Sequence, residues 1–420
     1  MKILIKNARL VNPRGKSGIM DILIDEGRVV RMAENIKEPA ERVIDAAGLL
    51  TAPGFVDVHV HFRDPGQTHK EDIETGAAAA KRGGYTTVVM MANTSPVIDN
   101  EETLRYVLDK GAKTGINVKS CVTVTRGMQG KELGDLDALK KAGAAGFTDD
   151  GKPILDEELV REAMLAAKRN NVPISFHEED PAYIKEAGYD HGAASEALGI
   201  YGADRRAEIV MIERDIKLAI ETGAEIDIQH ISSREGVELV RKARLSHNNI
   251  HAEATPHHFS LTSDAAVEYK TMAKMNPPLR TEEDRLAIIE GLKDGTIEMI
   301  ATDHAPHSDE EKAGGLTTAP SGIIGLETAY ALANMKLVDT GALSEDKLVE
   351  RLSCGPAAIY RLDAGVVREG GPADIVLCDP EEKWIADVFA SRSANTPFKG
   401  AELKGRVRMT IAKGEIVYEA

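Results

Sequence analysis

Several features that decide the class of a protein are scarce in this sequence. The 420 residues include only three cysteines and one tryptophan. Cys121, Cys354 and Cys378 lie far apart and form no C-x-x-C motif, so the sequence predicts no thiolate metal site and favours a reducing compartment. No apolar run approaches the roughly 18 residues that a membrane-spanning helix needs, and we therefore expect no membrane partner.

Positively charged residues are also fewer than negatively charged ones. The 52 lysine and arginine residues are outnumbered by 68 aspartate and glutamate residues, which gives a formal net charge of −16. Because such a surface repels a phosphate backbone, we expect no nucleic-acid partner. The opening residues Met1–Asn7 become polar too soon for a secretory signal, and this favours a cytoplasmic protein.

The chain repeats one unit many times, a short apolar run that ends in polar or ionisable residues. The eight runs are Gly54–Phe62, Thr86–Thr94, Val118–Arg126, Gly143–Gly151, Val172–Glu179, Glu225–Ser233, Ile250–His258 and Ile297–His307. Continuous apolar runs are typical of strands buried on both faces. Helical spacing between them, as in Asp156–Asn170 and Asp204–Thr222, predicts an α/β fold with a parallel sheet. Eight repeats predict a closed (β/α)8 TIM-type barrel over residues 53–363, with an open doubly wound sheet as the alternative.

The two ends of the chain have a different pattern, in which apolar and polar residues alternate. The alternating runs are Lys2–Lys6, Asp21–Ile24, Ala373–Leu377, Val407–Ile411 and Glu415–Tyr418. Alternation indicates strands with one buried and one wet face. Neither end is long enough for a core of its own, so residues 1–52 and 364–420 are predicted to pair into one small β-sandwich domain.

Histidines and aspartates stand at the ends of the predicted strands. The first run ends in His59-Val60-His61, and residues i and i+2 of a strand point to the same face. The other candidates, each at the end of a later run, are Asp150, His177, His230 and Asp303. Imidazole and carboxylate are ordinary zinc ligands, and this set exceeds the needs of one four-coordinate ion. We therefore expect a two-metal hydrolytic site at the rim of the barrel.

Several segments resemble a known family. Gly54–Arg63 is similar to the opening signature of the amidohydrolase superfamily, and later motifs resemble those of the class I dihydroorotases within it. The later motifs are Asn93-Thr94, Phe147–Gly151, Thr255–His258, Lys274–Arg280, Ala301–His307 and Asn395–Phe398. The resemblance covers nearly the whole chain. It implies reversible hydrolysis of the small molecule dihydroorotate to carbamoyl aspartate, a step of pyrimidine biosynthesis.

The resemblance also implies roles for individual residues. It assigns one zinc ion to His59, His61 and Asp303, a second to His177 and His230, and the bridge between the two Zn²⁺ ions of each subunit to Asp150 and a hydroxide. Asp303 would be the catalytic acid and base that shuttles the proton. The residues implied for substrate binding are Arg63, Asn93, Asn276, His307, Pro320, Ser321 and Gly322. Ala92 stands where the family usually has proline, which touches the shape of a loop and not the chemistry.

Arg63 and Lys152 bear on the choice of substrate. A guanidinium binds a carboxylate through two parallel hydrogen bonds, and hydantoin and allantoin lack the ring carboxylate of dihydroorotate. Hydantoinases and allantoinases bridge their metals with a carboxylated lysine on strand four. Lys152 follows Gly151, beyond the strand, and is interpreted as a loop residue.

Two alternatives to dihydroorotase activity remain at this stage. One is a hydantoinase- or allantoinase-like cyclic amidase. The other is a non-catalytic dihydroorotase-like scaffold of aspartate carbamoyltransferase, which the complete set of predicted metal ligands disfavours. The sequence leaves open whether the chain forms a homodimer, whether it associates with that transferase, and whether Ser308–Ala319 is a closing lid.

Overall fold

The computed structural model describes residues 1–420, and the architecture is mixed α/β with parallel strands in two sheets. The sheets have the orders β6-β7-β8 and β13-β12-β11-β10-β9. The strands β6 to β13 are Phe55–Val60, Tyr85–Met90, Asn117–Ser120, Phe147–Thr148, Ile174–Phe176, Ile226–Ile228, Ile250–Ala254 and Met299–Ile300. One strand therefore overlaps each of the eight predicted runs, although β7 and β8 each begin one residue earlier than predicted.

The strands are shorter than the predicted runs because the carboxyl end of each run leaves the sheet. In the fourth run only Phe147–Thr148 pairs as a strand before the chain turns at Gly151, where φ is 78°. In the eighth run β13 ends at Ile300, three residues before Asp303. The polar ends of the runs consequently lie in connecting segments at one edge of the parallel sheets.

Single β-bridges join the two parallel sheets at both margins. Val122, two residues after β8, pairs in parallel with Phe147 of β9. Val60 of β6 pairs in parallel with His304, which follows β13, and the His61 amide donates to the His304 carbonyl over 2.9 Å. These contacts bring the carboxyl ends of the first and last parallel strands together.

Helices follow most of the parallel strands and cover them. The helices α1 to α14 are Ile73–Arg82, Glu101–Ala112, Leu136–Ala142, Glu157–Asn170, Ala193–Ala197, Arg206–Thr222, Arg234–Arg244, Pro256–Ser260, Asp264–Tyr269, Glu282–Asp294, Asp309–Lys312, Ala329–Ala333, Glu345–Val349 and Gly355–Ile359. The two helices predicted from residue spacing are present as α4 and α6. Asp156 caps the amino end of α4, and Gly223, with φ 66°, ends α6. No helix is both long enough and apolar enough to span a bilayer.

Both ends of the chain contribute to one further sheet, which has the order β16-β15-β14-β5-β1-β2-β3 with β4 paired to β1. Its strands are Ile3–Leu10, Gly18–Asp25, Arg28–Ala33, Arg42–Asp45 and Leu50–Pro53 for β1 to β5, and Ile375–Ile385, Glu402–Ala412 and Glu415–Glu419 for β14 to β16. β5 pairs in parallel with β1 and antiparallel with β14. The ends of the chain therefore meet at β5, and a separate apolar core lies on this sheet.

The expectation of one wet face is wrong for the middle of β1 and β2. Leu4 and Leu23 point away from Ile3 and Ile22, yet they are only 4 % and 1 % exposed. Ile36, from the segment between β3 and β4, packs against both leucines. Sequence alternation describes the two faces of a strand, but it does not reveal that a distant segment covers the second face.

Two isoleucines of β2 test how much the terminal sheet contributes to stability. Ile22 is fully buried, whereas Ile19 on the same strand is 71 % exposed. We expect Ile22→Ala to lower the free energy of unfolding by about 2–5 kcal/mol, because it removes packed methyl groups and leaves a cavity. Ile19→Ala is the matched control and should change it by less than about 0.5 kcal/mol. Urea denaturation followed by circular dichroism measures both, and equal effects would contradict the burial of this sheet.

Candidate metal and substrate site

The carboxylate of Asp150 lies among four histidines at the carboxyl edge of the parallel strands. Its Oδ1 atom is 3.6 Å from Nε2 of His59, 3.6 Å from Nδ1 of His177 and 4.0 Å from Nε2 of His230. Its Oδ2 atom is 3.5 Å from Nε2 of His61. Histidines from three different strand ends are thus gathered around one buried carboxylate, which comes from a fourth.

Asp303 approaches the same group from the end of the eighth run. Its Oδ1 atom is 3.0 Å from Nε2 of His61 and 3.6 Å from Nε2 of His59. All six residues predicted as metal ligands are buried, and the structure brings all six together.

The donor atoms form two groups that share Asp150. One group is His59, His61 and Asp150, and the other is Asp150, His177 and His230. Within each group the donor atoms lie within 4.8 Å of one another. Nε2 of His59 is buried without a hydrogen-bond partner, a costly arrangement that a bound cation would relieve. The residues present therefore fit metal ions.

Electrostatics favours the metal-binding protonation state at Asp150 and at His230, whereas neighbouring carboxylates raise the pKa of His59 and of His177. Burial alone would raise the pKa of Asp150, but the facing imidazoles of His59 and His177 hold it well below its usual range. Burial and the neighbouring His177 hold the pKa of His230 well below its usual value. An ionised carboxylate and a neutral imidazole are the ligand forms that bind a metal ion.

Two further carboxylates orient the histidines from behind. Oε1 of Glu253 is 2.7 Å from Nδ1 of His59, and Oε2 of Glu179 is 2.9 Å from Nε2 of His177. Each carboxylate occupies one ring nitrogen, so His59 turns Nε2 and His177 turns Nδ1 toward Asp150. The sequence analysis missed both residues. Two signals in the sequence could have revealed them. Glu253 is a glutamate inside the buried strand β12, and Glu179 stands two residues after His177 in a second i, i+2 pair that follows β10.

Three site residues have backbone conformations that residues other than glycine rarely adopt. The φ angles are 59° at Arg63, 34° at His230 and 47° at Asp303. Strain of this kind is found where the surrounding structure fixes a functional geometry. β6 ends at Val60, so the two-residue alternation of a strand does not determine the direction of the Arg63 side chain.

A cavity of about 210 Å³ opens onto the histidine and aspartate cluster. The residues predicted for substrate binding that line it are Arg63, Asn93, Asn276, His307, Ser321 and Gly322. Pro320 does not line the cavity, because its carbonyl oxygen turns away to accept a hydrogen bond from Lys312 Nζ over 2.9 Å. Lys152 is exposed and lies outside the cavity, in agreement with its interpretation as a loop residue.

Arg63 and His307 form one corner of the cavity. The Arg63 Nε atom donates to the Pro306 carbonyl over 3.2 Å, and its Nη2 atom is 3.3 Å from Nε2 of His307. His307 Nε2 donates to the Ser321 carbonyl over 2.9 Å. Burial and the nearby guanidinium hold the pKa of His307 below its usual value, so the imidazole is neutral. Arg63 therefore supplies the positive charge of this corner, which suits an anionic group.

Asn93 lies between two of the candidate metal ligands. Its Oδ1 atom accepts from His61 Nδ1 over 2.9 Å, and its Nδ2 atom donates to Asp150 Oδ2 over 2.9 Å. Both polar atoms of the side chain are therefore engaged inside the cluster. The resemblance implied a role in substrate binding, and the geometry adds a role in holding His61 and Asp150.

Comparison with known proteins identifies the class. The model of the amidohydrolase family matches residues 50–417. The chain is 52 % identical to the dihydroorotase of Clostridioides difficile (strain 630) over 420 residues, which is 100 % of each chain. It is 49 % identical to the dihydroorotase of Streptococcus pneumoniae over 421 residues, again 100 % of each chain. The chain therefore belongs to the amidohydrolase family and, within it, to the dihydroorotases, and the resemblance found in the sequence is confirmed.

Two solved structures that resemble this one carry a different name. L-hydantoinase (dihydropyrimidinase) from Arthrobacter aurescens superposes with a TM-score of 0.89 at 25 % sequence identity, covering 99 % of this chain and 96 % of that chain. Dihydropyrimidinase from Brevibacillus agri has a TM-score of 0.88 at 23 % identity, and the superposition covers 100 % of this chain and 95 % of that chain. At such identities the likeness defines the fold, and the choice of substrate must come from individual residues.

The carboxylate behind His59 gives a test of the metal site. We expect Glu253→Gln to weaken binding of Zn²⁺ to the metal-free protein by about 10–100-fold, because the amide no longer fixes the ring of His59. Glu298→Gln is the matched control, since Glu298 pairs with His251 near the start of the same strand, away from the cavity. The Glu298→Gln variant should bind Zn²⁺ with the affinity of the wild type. Competition against a chromophoric chelator measures all three proteins, and an unchanged affinity in Glu253→Gln would refute this role.

Proposed function

We propose that the chain is a zinc-dependent dihydroorotase, which catalyses the reversible hydrolysis of (S)-dihydroorotate to N-carbamoyl-L-aspartate in the biosynthesis of UMP. The observation that carries the proposal is the placement of Arg63 in a cavity whose other side is the cluster around Asp150. Full-length relatives named dihydroorotase support it. Three buried free thiols support a reducing compartment such as the cytoplasm.

The fold that supports this activity is a closed (β/α)8 barrel over residues 53–363, with residues 1–52 and 364–420 forming one β domain. The bridges at Val60 and Val122 support closure, because they link the first strand to the last and the third to the fourth. The sheet that joins β1 to β14 through β5 supports the second domain. In such barrels the segments after the strands build the active site.

Two Zn²⁺ ions would be held by residues that share Asp150. We assign His59, His61 and Asp303 to one ion, His177 and His230 to the other, and Asp150 to both. Bound there, the ions lower the pKa of water to near neutrality and polarise the amide carbonyl of the substrate. Asp150 takes the place that a carboxylated lysine has in hydantoinases.

The side chains of the cavity divide the remaining tasks. Arg63 binds the ring carboxylate through its guanidinium, next to the neutral His307. Asn276 has a buried Oδ1 atom without a hydrogen-bond partner and lines the cavity, so it accepts from an N–H of the ring. The Asp303 carboxylate takes a proton from the attacking water and delivers it to the ring nitrogen as the amide bond breaks.

A hydantoinase-like amidase is the second candidate, because an L-hydantoinase has the same fold. Hydantoins have no carboxylate for Arg63 to bind, and burying an unpaired guanidinium beside the substrate costs binding energy. The bridging position is also an aspartate, and Lys152, two residues further along the chain, is exposed. Both residues favour dihydroorotate.

Substrate choice is tested by removing the guanidinium. We expect the zinc-loaded protein to open dihydroorotate and to leave hydantoin unchanged. Arg63→Met should raise the KM for dihydroorotate by about 10–100-fold, because a hydrogen-bonded charge pair is lost. Arg126→Met is the control, since Arg126 is the last residue of the third run but its side chain is 64 % exposed. Turnover of hydantoin and none of dihydroorotate would reject the proposal.

Asp303 is tested through the rate of the chemical step. Asp303→Asn keeps an oxygen at the position but cannot carry the proton. We expect kcat to fall by about 10²–10⁴-fold, the usual contribution of a positioned acid or base. The zinc content of the variant is measured in parallel, because Asp303 is also assigned as a ligand. A variant that keeps both its zinc and its wild-type kcat would exclude Asp303 as the proton carrier.

A further inference from the structure

One wall of the cavity is an irregular segment, Ala319–Gly322, that a buried lysine holds from behind. Lys312 is 1 % exposed, and its Nζ atom donates to the carbonyl oxygens of Pro320 over 2.9 Å and Gly322 over 3.0 Å. No carboxylate forms an ion pair with this ammonium. Its hydrogen-bond partners are therefore two carbonyl groups of the wall, on either side of Ser321.

A second lysine holds the same segment at its beginning. Lys274 is 3 % exposed, and its Nζ atom donates to the carbonyl oxygens of Ala319 over 2.7 Å and Leu316 over 2.8 Å. The carbonyl of Lys274 itself accepts from the Gly322 amide over 2.8 Å. Close packing adds to this, since a Cβ atom on Gly188 would come within 2.5 Å of the Lys274 side chain. Lys274 thus anchors both ends of the wall.

We propose that Lys312 and Lys274 are positioning residues that fix the wall segment Ala319–Gly322 against the substrate ring and thereby set the affinity for dihydroorotate. The proposal rests on the function proposed above, because it assigns the task of these lysines to the same cavity. It concerns binding rather than the chemical step, since neither ammonium lines the cavity.

The energetic cost of burying the Lys312 amine indicates that this residue has a specific role. Burial, together with the charge of Lys274, lowers the pKa of Lys312 to about 7. A buried amine with a perturbed pKa and no carboxylate partner is unusual in a purely structural role. The carbonyl groups of the wall compensate this cost only when the wall is in its observed position. The lysine and the wall therefore fix one another.

The arrangement also determines what the wall offers to a ligand. The carbonyls of Pro320 and Gly322 are occupied by Lys312, and that of Ser321 by His307. The Ser321 amide has no acceptor within the chain, and Ser321 lines the cavity. Because these carbonyls are already occupied, the wall offers the free Ser321 N–H as a donor, which suits a carbonyl or carboxylate oxygen of the substrate.

The same contacts bear on the segment Ser308–Ala319, for which a lid was one interpretation. It begins with the short helix α11, capped by Ser308, and the Lys312 carbonyl accepts from Thr271 Oγ1 over 2.6 Å. Lys274 holds the other end through Leu316 and Ala319. These contacts favour a fixed support for the wall over a hinged lid.

The test compares Lys312→Met and Lys274→Met with Lys168→Met in the zinc-loaded protein. Lys168 Nζ also donates to a backbone carbonyl, that of Thr222 over 2.8 Å, but away from the cavity. We expect the two wall variants to raise the KM for dihydroorotate about tenfold, as loss of one well-placed hydrogen bond to the substrate does, with kcat within about threefold of wild type. Lys168→Met should leave both constants unchanged.

A second measurement needs no substrate. Hydrogen–deuterium exchange of the peptide covering residues 313–324 should become faster in both wall variants and stay unchanged in Lys168→Met. Lys312→Gln, which keeps one donor, should fall between wild type and Lys312→Met in KM and in exchange. This graded effect, at unchanged zinc content, separates positioning from general damage to the fold.

The outcomes distinguish the two proposals. Wall variants with wild-type KM and wild-type exchange overturn the role of the lysines, and so does a loss of kcat or zinc without a change in KM. If the wild type does not open dihydroorotate at all, the proposed function fails. The exchange experiment then still decides whether the lysines hold the wall, and unchanged exchange in Lys312→Met rejects that as well.

Discussion

A single buried carboxylate, that of Asp150, determines how the rest of the site is arranged. Four imidazole rings lie within about 4 Å of it, and burying a negative charge at such a place is tolerable only when the surrounding groups compensate it. The strands that carry these imidazoles must therefore end at the same edge of the sheets. The parallel sheets meet this need, because the carboxyl ends of all their strands lie at the same edge.

Around this centre, neighbouring side chains hold four of the six candidate ligands in place. Glu253 and Glu179 hold the rings of His59 and His177, and Asn93 ties His61 to Asp150. The wall opposite is held in the same way by lysines placed behind it. Rigid support of this kind costs stability, as the strained backbone at Asp303 shows, and it preorganises the cavity for its ligand.

The sequence predicted those parts of the molecule that depend on local pattern. Apolar runs located all eight parallel strands, and polar run ends located the cluster around Asp150, because both follow from the order of residues along one strand. Contacts between distant segments were not predictable in this way. The cover that Ile36 gives to Leu4, and the contact of Lys312 with the wall, join residues whose types reveal nothing about their partners.

Substrate choice in this fold depends on a few side chains. The L-hydantoinase from Arthrobacter aurescens has nearly the same backbone, with a TM-score of 0.89, although three quarters of its aligned residues differ. A shared scaffold is therefore compatible with hydrolysis of several cyclic amides, and in the proposed function the corner at Arg63 narrows that range. The guanidinium, held by the Pro306 carbonyl beside a neutral imidazole, would bind a ring that carries a carboxylate. A ring without a carboxylate would leave the guanidinium unpaired, so the residue proposed to attract dihydroorotate would also exclude its neutral analogues.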